Sequence, residues 1–92
     1  MKSFKAKIID AIGIHARPAA AIVKVSGKFE STISIKLLEN DKIANGKSVI
    51  NLMSLGAKKD NKLEVIITGS DEDKALEEVK QVMLDNKLIE LI

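Results

Sequence analysis

Cysteine is absent from this chain of 92 residues, and histidine and proline occur only once each. Without cysteine there can be no disulfide framework, no thiol chemistry and no thiolate ligand for a metal. The single histidine, His15, excludes a metal site built from several imidazoles. We therefore predict neither a metal site nor a cofactor, and any imidazole chemistry must come from His15 alone.

Aromatic residues are scarce too, because the chain has two phenylalanines and no tyrosine or tryptophan. Proteins that bind single-stranded nucleic acid stack its bases on such side chains. The net charge of +2 is only weakly basic, and acidic and basic residues are interspersed instead of forming runs. Both observations predict that the chain has no nucleic-acid partner.

Long apolar runs are also missing from the sequence. No stretch is long enough for a signal peptide or a transmembrane helix, so we expect a cytoplasmic protein without direct insertion into a membrane. The hydrophobic content of 46% over 92 residues is enough for one core but not for two. We therefore predict a single domain that spans residues 1–92.

Apolar residues recur with the period of a strand in some segments and with the period of a helix in others. The predicted elements are strands over 3–9, 33–37, 42–45 and 63–68, and helices over 16–26, from Ser48 through Leu55, and from Ser70 onward. We expect the second and third strands to pair as a hairpin, and Ser70 to cap the last helix. The order β-α-β-β-α-β-α predicts the α+β class, with helices over one face of a mainly antiparallel sheet.

The segment GIHARPAA, residues 13–20, places His15 where a loop turns into a helix. Pro18 suits the first turn of a helix, because N–H groups there have no intrahelical acceptor. An anion beside His15 would meet such free N–H groups and the positive end of the helix dipole. Arg17 adds a forked cation that fits phosphate oxygens. A lone histidine commonly has no chemical role, but these surroundings favour a phosphate site.

A second candidate segment, GKS at residues 46–48, precedes the short helix. A nucleotide-binding P-loop would need a further glycine at the position of Asp41, so we reject that interpretation. The Ser48 hydroxyl can accept a hydrogen bond from a free N–H group of the helix. A cap above a buried Leu52 and Leu55 would therefore explain Ser48 on structural grounds alone.

The stretch GIHARPA, residues 13–19, resembles the active-site sequence of the HPr family, the histidine-containing phosphocarriers of the bacterial sugar phosphotransferase system. The resemblance covers essentially the whole chain and implies an open-faced β-sandwich, with three helices on one side of a four-stranded antiparallel sheet. It implies that His15 accepts phosphate at Nδ1 from enzyme I and passes it to IIA domains of sugar permeases, while Arg17 stabilises the phosphoryl group. In one departure, Ile12 stands where many relatives have a small residue that forms a side-chain capping contact.

The segment around Ser48 is similar to the regulatory segment of HPr proteins whose capping serine is phosphorylated by HPr kinase/phosphorylase. This resemblance implies that Ser48 is a regulatory phosphorylation site and that a catabolite-control transcription factor is a further partner.

An apolar docking patch for partner proteins is predicted on the short helix. It consists of Val49, Ile50 and Met53. These residues lie on a side of the helix different from that of Leu52 and Leu55. Lys24 and Lys47 are expected to steer the acidic surfaces of partners toward the patch.

Two alternatives to a phosphocarrier remain open. One is an HPr-like regulatory protein that acts mainly through Ser48 and a transcription-factor partner; phosphorylation of His15 by enzyme I and phosphoenolpyruvate distinguishes the two. The other is a small enzyme with His15 as a general base, but local spacing pairs no Asp, Glu, Ser or Cys with His15. The preferred hypothesis is a carrier with a transient phosphohistidine, not a stand-alone enzyme.

Overall fold

Eight elements follow one another in the computed structural model, which describes every residue from Met1 to Ile92. They are β1 (Lys2–Ile8), α1 (Ala16–Ser26), β2 (Thr32–Leu37), β3 (Ile43–Asn45), α2 (Val49–Ser54), β4 (Lys62–Thr68), α3 (Glu72–Asp85) and β5 (Ile89–Leu91). The first helix has the predicted bounds. The first and last residues of each predicted strand differ from those of the observed strand by at most one position. None of the three helices combines the length and the apolar character needed to span a bilayer.

The strands form one antiparallel sheet in the order β3-β2-β4-β1-β5. The central strand β4 pairs with β1 on one side, where Val65 lies opposite Phe4, and with β2 on the other, where Val65 lies opposite Ile35. The pairing of β2 with β3 confirms the predicted hairpin.

The fifth strand is an addition to the four that were predicted. It pairs with the end of β1, so that Ile89 lies opposite Ile8. Ile89 is buried, whereas Glu90 and Leu91 are exposed. Three residues are too few to establish a period of two, and for this reason the sequence pattern does not indicate a strand there.

The hydrophobic core lies between one face of the sheet and the three helices. Alternate strand residues supply the sheet side, namely Ala6, Ile8, Ile33, Ile35, Leu37, Leu63, Val65 and Ile67. The helices supply Ala19, Ile22, Leu52, Ala75, Val79 and Met83. Burying one side chain of the size of Val, Leu or Ile contributes about 1.5–3 kcal/mol, so this interface is the main source of stability. The predicted α+β class and open-faced sandwich are confirmed.

The start of α3 differs from the prediction, because Ser70 does not cap it. Asp71 is the N-cap residue, and its own carboxylate makes no capping bond. That carboxylate instead accepts hydrogen bonds from the backbone N–H groups of Glu30 at 2.9 Å and Ser31 at 3.0 Å, and from the Ser31 hydroxyl. Asp71 thus ties the start of α3 to the loop between α1 and β2.

Candidate functional site

The loop between β1 and α1 carries the candidate site, and sequence-distant backbone groups hold it in place. The Leu88 carbonyl accepts hydrogen bonds from the N–H groups of Ile9 at 2.8 Å and Asp10 at 3.3 Å. Near the other end of the loop, the Ile14 N–H donates to the Ala57 carbonyl at 3.1 Å. The loop is therefore attached both to the turn before β5 and to the segment after α2.

Gly13 allows the loop to lie against that second segment. Its φ of +89° is in the region that L side chains rarely adopt, and a Cβ there would lie 2.2 Å from the Ala57 carbonyl oxygen and 2.9 Å from the Lys58 Cα. Both contacts involve backbone atoms, which cannot rotate away. Only glycine fits at this position without displacing the loop.

His15 is the N-cap residue of α1. Its backbone is extended, with φ −119° and ψ −174°, and its carbonyl accepts the N–H of Ala19 at 3.0 Å. Its side chain makes no capping bond, and no acceptor within the chain meets the N–H groups of Ala16 or Arg17. Pro18 is buried and has no N–H, as expected for a first turn. The start of α1 therefore presents two free donors beside the imidazole.

Asp10 pairs with His15, at a distance of 3.3 Å between Oδ2 and Nε2. Local spacing in the sequence did not indicate this pair, which the fold of the loop brings together. The N–H of Ile12 donates to Asp10 Oδ1 at 2.8 Å, and this bond, together with the weaker influence of His15, lowers the pKa of Asp10 even though partial burial opposes the shift. Asp10 is thus a carboxylate at neutral pH, and Nδ1 is the imidazole nitrogen without a partner in the chain.

The sequence contained one indication of the Asp10 contact. An aspartate that accepts an N–H two residues later is typical of a turn, and Asp10 comes directly before the turn that Gly13 completes. In this bond the Ile12 backbone N–H has an acceptor, whereas the Ile12 side chain is 70% exposed. Asp10 therefore supplies a side-chain contact in this loop, where Ile12 has no polar group to offer.

Arg17 is exposed in the first turn of α1 and forms no ion pair with a carboxylate. Its guanidinium is therefore available to an external anion. Lys24, in the last turn of the same helix, is also exposed and unpaired. Lys47 differs, because its Nζ donates to the Phe29 carbonyl at 2.6 Å and its side chain is partly buried.

Ser48 is the N-cap residue of α2, as predicted. Its Oγ accepts a hydrogen bond from the Asn51 N–H at 3.2 Å. Of the three predicted patch residues, Ile50 is 77% exposed and Met53 is 45% exposed, whereas Val49 is partly buried against the core. The predicted buried pair, Leu52 and Leu55, is buried. The exposed apolar surface of α2 is thus formed mainly by Ile50 and Met53.

The open-faced sandwich, with a histidine at the free N-terminus of a helix and an unpaired arginine two residues later, agrees with the histidine-containing phosphocarrier expected from the sequence. Residues 2–85 match the family model described as the PTS HPr component phosphorylation site. The phosphocarrier protein HPr of Mycoplasma capricolum is 39% identical over 90 residues, which cover 98% of this chain and 99% of the relative.

The solved structure of a histidine-containing phosphocarrier protein of Mycoplasma has a TM-score of 0.92 and 38% identity, and the match covers 97% of this chain and 99% of the other. The Bacillus subtilis catabolite repression protein Crh has a TM-score of 0.70 and 30% identity over 91% of this chain and 88% of the other. The chain belongs to the HPr family of phosphocarrier proteins.

Proposed function

We propose that the chain carries phosphate on Nδ1 of His15, receives it from enzyme I in the cytoplasm and passes it to IIA domains of sugar permeases. The observation that carries this proposal is the pairing of the His15 imidazole: Nε2 contacts the Asp10 carboxylate, and Nδ1 has no partner within the chain. The free N–H groups of Ala16 and Arg17 and the unpaired Arg17 guanidinium lie on the same turn as this ring. Together they offer donors and positive charge to a phosphoryl group.

Transfer by this route needs no proton to be removed from His15, because the attacking Nδ1 carries a lone pair. The Nδ1 lone pair forms a bond to phosphorus while the bond from phosphorus to the donor atom of enzyme I breaks, and the electron pair of that bond returns to the donor atom. The phosphoryl oxygens stay negative throughout, so Arg17 and the backbone N–H groups can hold them during transfer. The second transfer repeats these steps, with an acceptor on the IIA domain as the attacking group.

The surroundings of His15 suit a carrier whose partners supply most of the catalytic machinery. Its side chain is 27% exposed. It lines neither of the two surface cavities of about 360 and 220 Å³, which border β3 instead. A site that encloses a small substrate is normally a concave pocket, whereas a site approached by another protein need not be.

Ser48 supports a regulatory part of the same proposal. Ser48 is partly buried at the N-terminus of α2, and phosphorylation there by HPr kinase/phosphorylase would place a charge of about −1.5 to −2 at the start of the helix that carries the exposed Ile50 and Met53. If partners dock through these side chains, the charge opposes docking of an acidic surface, and Lys24 is free to attract that surface when Ser48 is unmodified.

The alternative is an HPr-like regulator that acts mainly through Ser48 and a catabolite-control transcription factor, and the similarity to Crh favours considering it. The two functions differ in one measurable property, since only the carrier must accept phosphate on His15.

The test is incubation of the chain with phosphoenolpyruvate and enzyme I, followed by intact-mass measurement before and after acid treatment. A phosphohistidine is lost in acid, whereas a phosphoserine survives. We expect one acid-labile phosphate on the parent and none on His15→Ala, because the chain has no other histidine. Circular dichroism should show an unchanged fold in the variant, and acid-labile phosphate retained by His15→Ala would overturn the assignment.

A further inference from the structure

We propose that Asp10 is the positioning residue of the phosphate acceptor: it holds the proton on Nε2 of His15 and so directs the Nδ1 lone pair toward the incoming phosphorus. This inference rests on the proposed role of His15 but concerns a group that can be tested without any phosphate transfer.

The carboxylate of Asp10 is held from several directions. Oδ1 accepts the Ile12 N–H at 2.8 Å, and Oδ2 lies 3.3 Å from Nε2 of His15. The backbone of the same residue donates to the Leu88 carbonyl at 3.3 Å and accepts the Gly13 N–H at 3.1 Å. Each carboxylate oxygen therefore has a separate partner, and the backbone fixes the direction from which the side chain reaches the ring.

The chemistry of the pair determines which nitrogen carries the proton. An ionised carboxylate can only accept hydrogen bonds, so the ring nitrogen that faces it must be an N–H donor. A neutral imidazole has one N–H group, and the other nitrogen then carries the lone pair. The lowered pKa of Asp10 supports its ionised state at neutral pH. In this structure the facing nitrogen is Nε2, and the nucleophilic nitrogen is Nδ1.

The same contact remains useful during transfer. As the bond between Nδ1 and phosphorus forms, positive charge develops on the imidazole, and the Asp10 carboxylate faces that charge through the Nε2 proton. The proton stays on Nε2 and Asp10 stays ionised, so Asp10 is not a general base. Partners of the second nitrogen of metal-ligating histidines change metal affinity or activity by about 10–100-fold, and we expect an effect at the lower end of that range for His15.

The decisive variant is Asp10→Asn. If its amide oxygen keeps the bond from the Ile12 N–H, its NH₂ group faces Nε2 of His15. An NH₂ donor favours a lone pair on that nitrogen, so the tautomer is reversed while the loop contact is retained. The matched control is Asp41→Asn, which also removes one negative charge but lies in the exposed turn between β2 and β3, where φ is +61° and asparagine is well tolerated.

The measurement is the pair of imidazole ¹⁵N chemical shifts of the unphosphorylated protein, at a pH where His15 is neutral. We expect the parent and Asp41→Asn to have the proton on Nε2, and Asp10→Asn to move toward the Nδ1–H form. Phosphorylation by enzyme I and phosphoenolpyruvate should be about tenfold slower for Asp10→Asn and unchanged for Asp41→Asn.

Several outcomes overturn the proposal. A parent protein with the proton on Nδ1, or an Asp10→Asn protein with the parental tautomer, removes the positioning role even if transfer slows, since Asp10 would then act only on the shape of the loop. A reversed tautomer in Asp10→Asn, combined with a parent that accepts no phosphate, shows that Asp10 controls the tautomer but refutes the proposed function. A parent that accepts phosphate, combined with a tautomer that does not change in Asp10→Asn, supports the proposed function and refutes the positioning role of Asp10.

Discussion

The N-termini of α1 and α2 each present a side chain proposed to carry phosphate, but the two helix starts are built in opposite ways. At α1 the His15 side chain turns back to Asp10, and the N–H groups of the first turn remain free. At α2 the Ser48 hydroxyl already accepts the Asn51 N–H. The start of α1 is therefore open, because its free N–H groups can bind an external anion. The start of α2 is closed, because the Ser48 hydroxyl already accepts one of its N–H groups.

This difference shows that position at a helix start does not by itself define a role. A phosphoryl group arriving at α1 meets donors that are already free, so binding replaces no existing bond. A phosphate on Ser48 must take over a cap that the hydroxyl supplies in the unmodified chain. We therefore expect substitutions around α1 to affect transfer and substitutions at α2 to affect docking.

Gly13→Ala is expected to have the largest effect, because it displaces the loop that forms the open helix start. The added Cβ combines an unfavourable φ with a backbone collision, and we expect a loss of about 3 kcal/mol in the free energy of unfolding, together with slow transfer. Chemical denaturation measures the first quantity. Gly56→Ala is the matched control, since its φ of +70° is similarly positive but a Cβ added there would have no atom within 4 Å. Equal losses in the two variants would contradict the proposed packing of the loop on Ala57.

Arg17→Ala tests whether the free guanidinium at α1 serves transfer. Charge-assisted hydrogen bonds to a phosphoryl group contribute about 1.5–3 kcal/mol, so we expect transfer from enzyme I to slow by a factor of about ten to a hundred. Thermal stability should stay near the parental value, because the side chain forms no ion pair in the folded chain. Arg17→Lys should recover part of the rate, since it restores the charge without the fork. Parental rates for Arg17→Ala would remove the residue from the site.

Ser48→Asp tests the closed start of α2 and is expected to have a smaller effect. Aspartate is itself a good N-cap residue, so stability should be close to parental, whereas the charge at the start of α2 should slow phosphorylation of His15 by a few-fold. Ser48→Asn caps the helix without charge and isolates the electrostatic part. Met53→Glu, which places a charge on the patch itself, should slow transfer in the same direction. A Ser48→Asp protein phosphorylated at the parental rate would refute the regulatory role.

Asp71→Asn, at the start of α3, is expected to have the smallest effect, and this effect is on stability alone. The Ser31 hydroxyl, and then the Glu30 N–H, hold the pKa of Asp71 below its usual range. A carboxyl group with a lowered pKa in the folded state stabilises the fold above its unfolded pKa, and this contribution is lost as the pH falls toward the folded value. Denaturation from about pH 5 to about pH 2 should show this loss in the parent and a weaker loss in Asp71→Asn. Asp73→Asn, which removes an exposed pair with Lys2, is expected to behave like the parent.

Features that depend on neighbouring residues could be predicted from the sequence. The alternation in β2 and β4, and the spacing from Pro18 to Gly27 in α1, define those elements closely. The cap at Ser48 also depends only on a residue three positions later. Local chemistry decides each of these, so a sequence pattern is sufficient.

Features that depend on distant residues could not be predicted in this way. Ser70 is of a residue type that commonly caps helices, but Asp71 is the N-cap residue of α3. The Asp71 carboxylate accepts hydrogen bonds from backbone N–H groups in the loop before β2. The contact between Asp10 and His15 depends on how the packing of Gly13 against Ala57 turns the loop. No local pattern encodes where that segment lies, although the aspartate before the turn is visible in the sequence.

The backbone bonds that hold the candidate site have a consequence for how the protein folds. Ile9 and Asp10 are bonded to Leu88, and Ile14 is bonded to Ala57, so the loop is closed by contacts between residues far apart in the chain. The entropy of closing such long loops must be overcome before these contacts form. In a partly folded chain with only α1 and the hairpin in place, the loop between β1 and α1 is therefore not ordered. If the proposed phosphate transfer requires the ordered loop, an incompletely folded molecule cannot accept phosphate, and no separate mechanism is needed to exclude it.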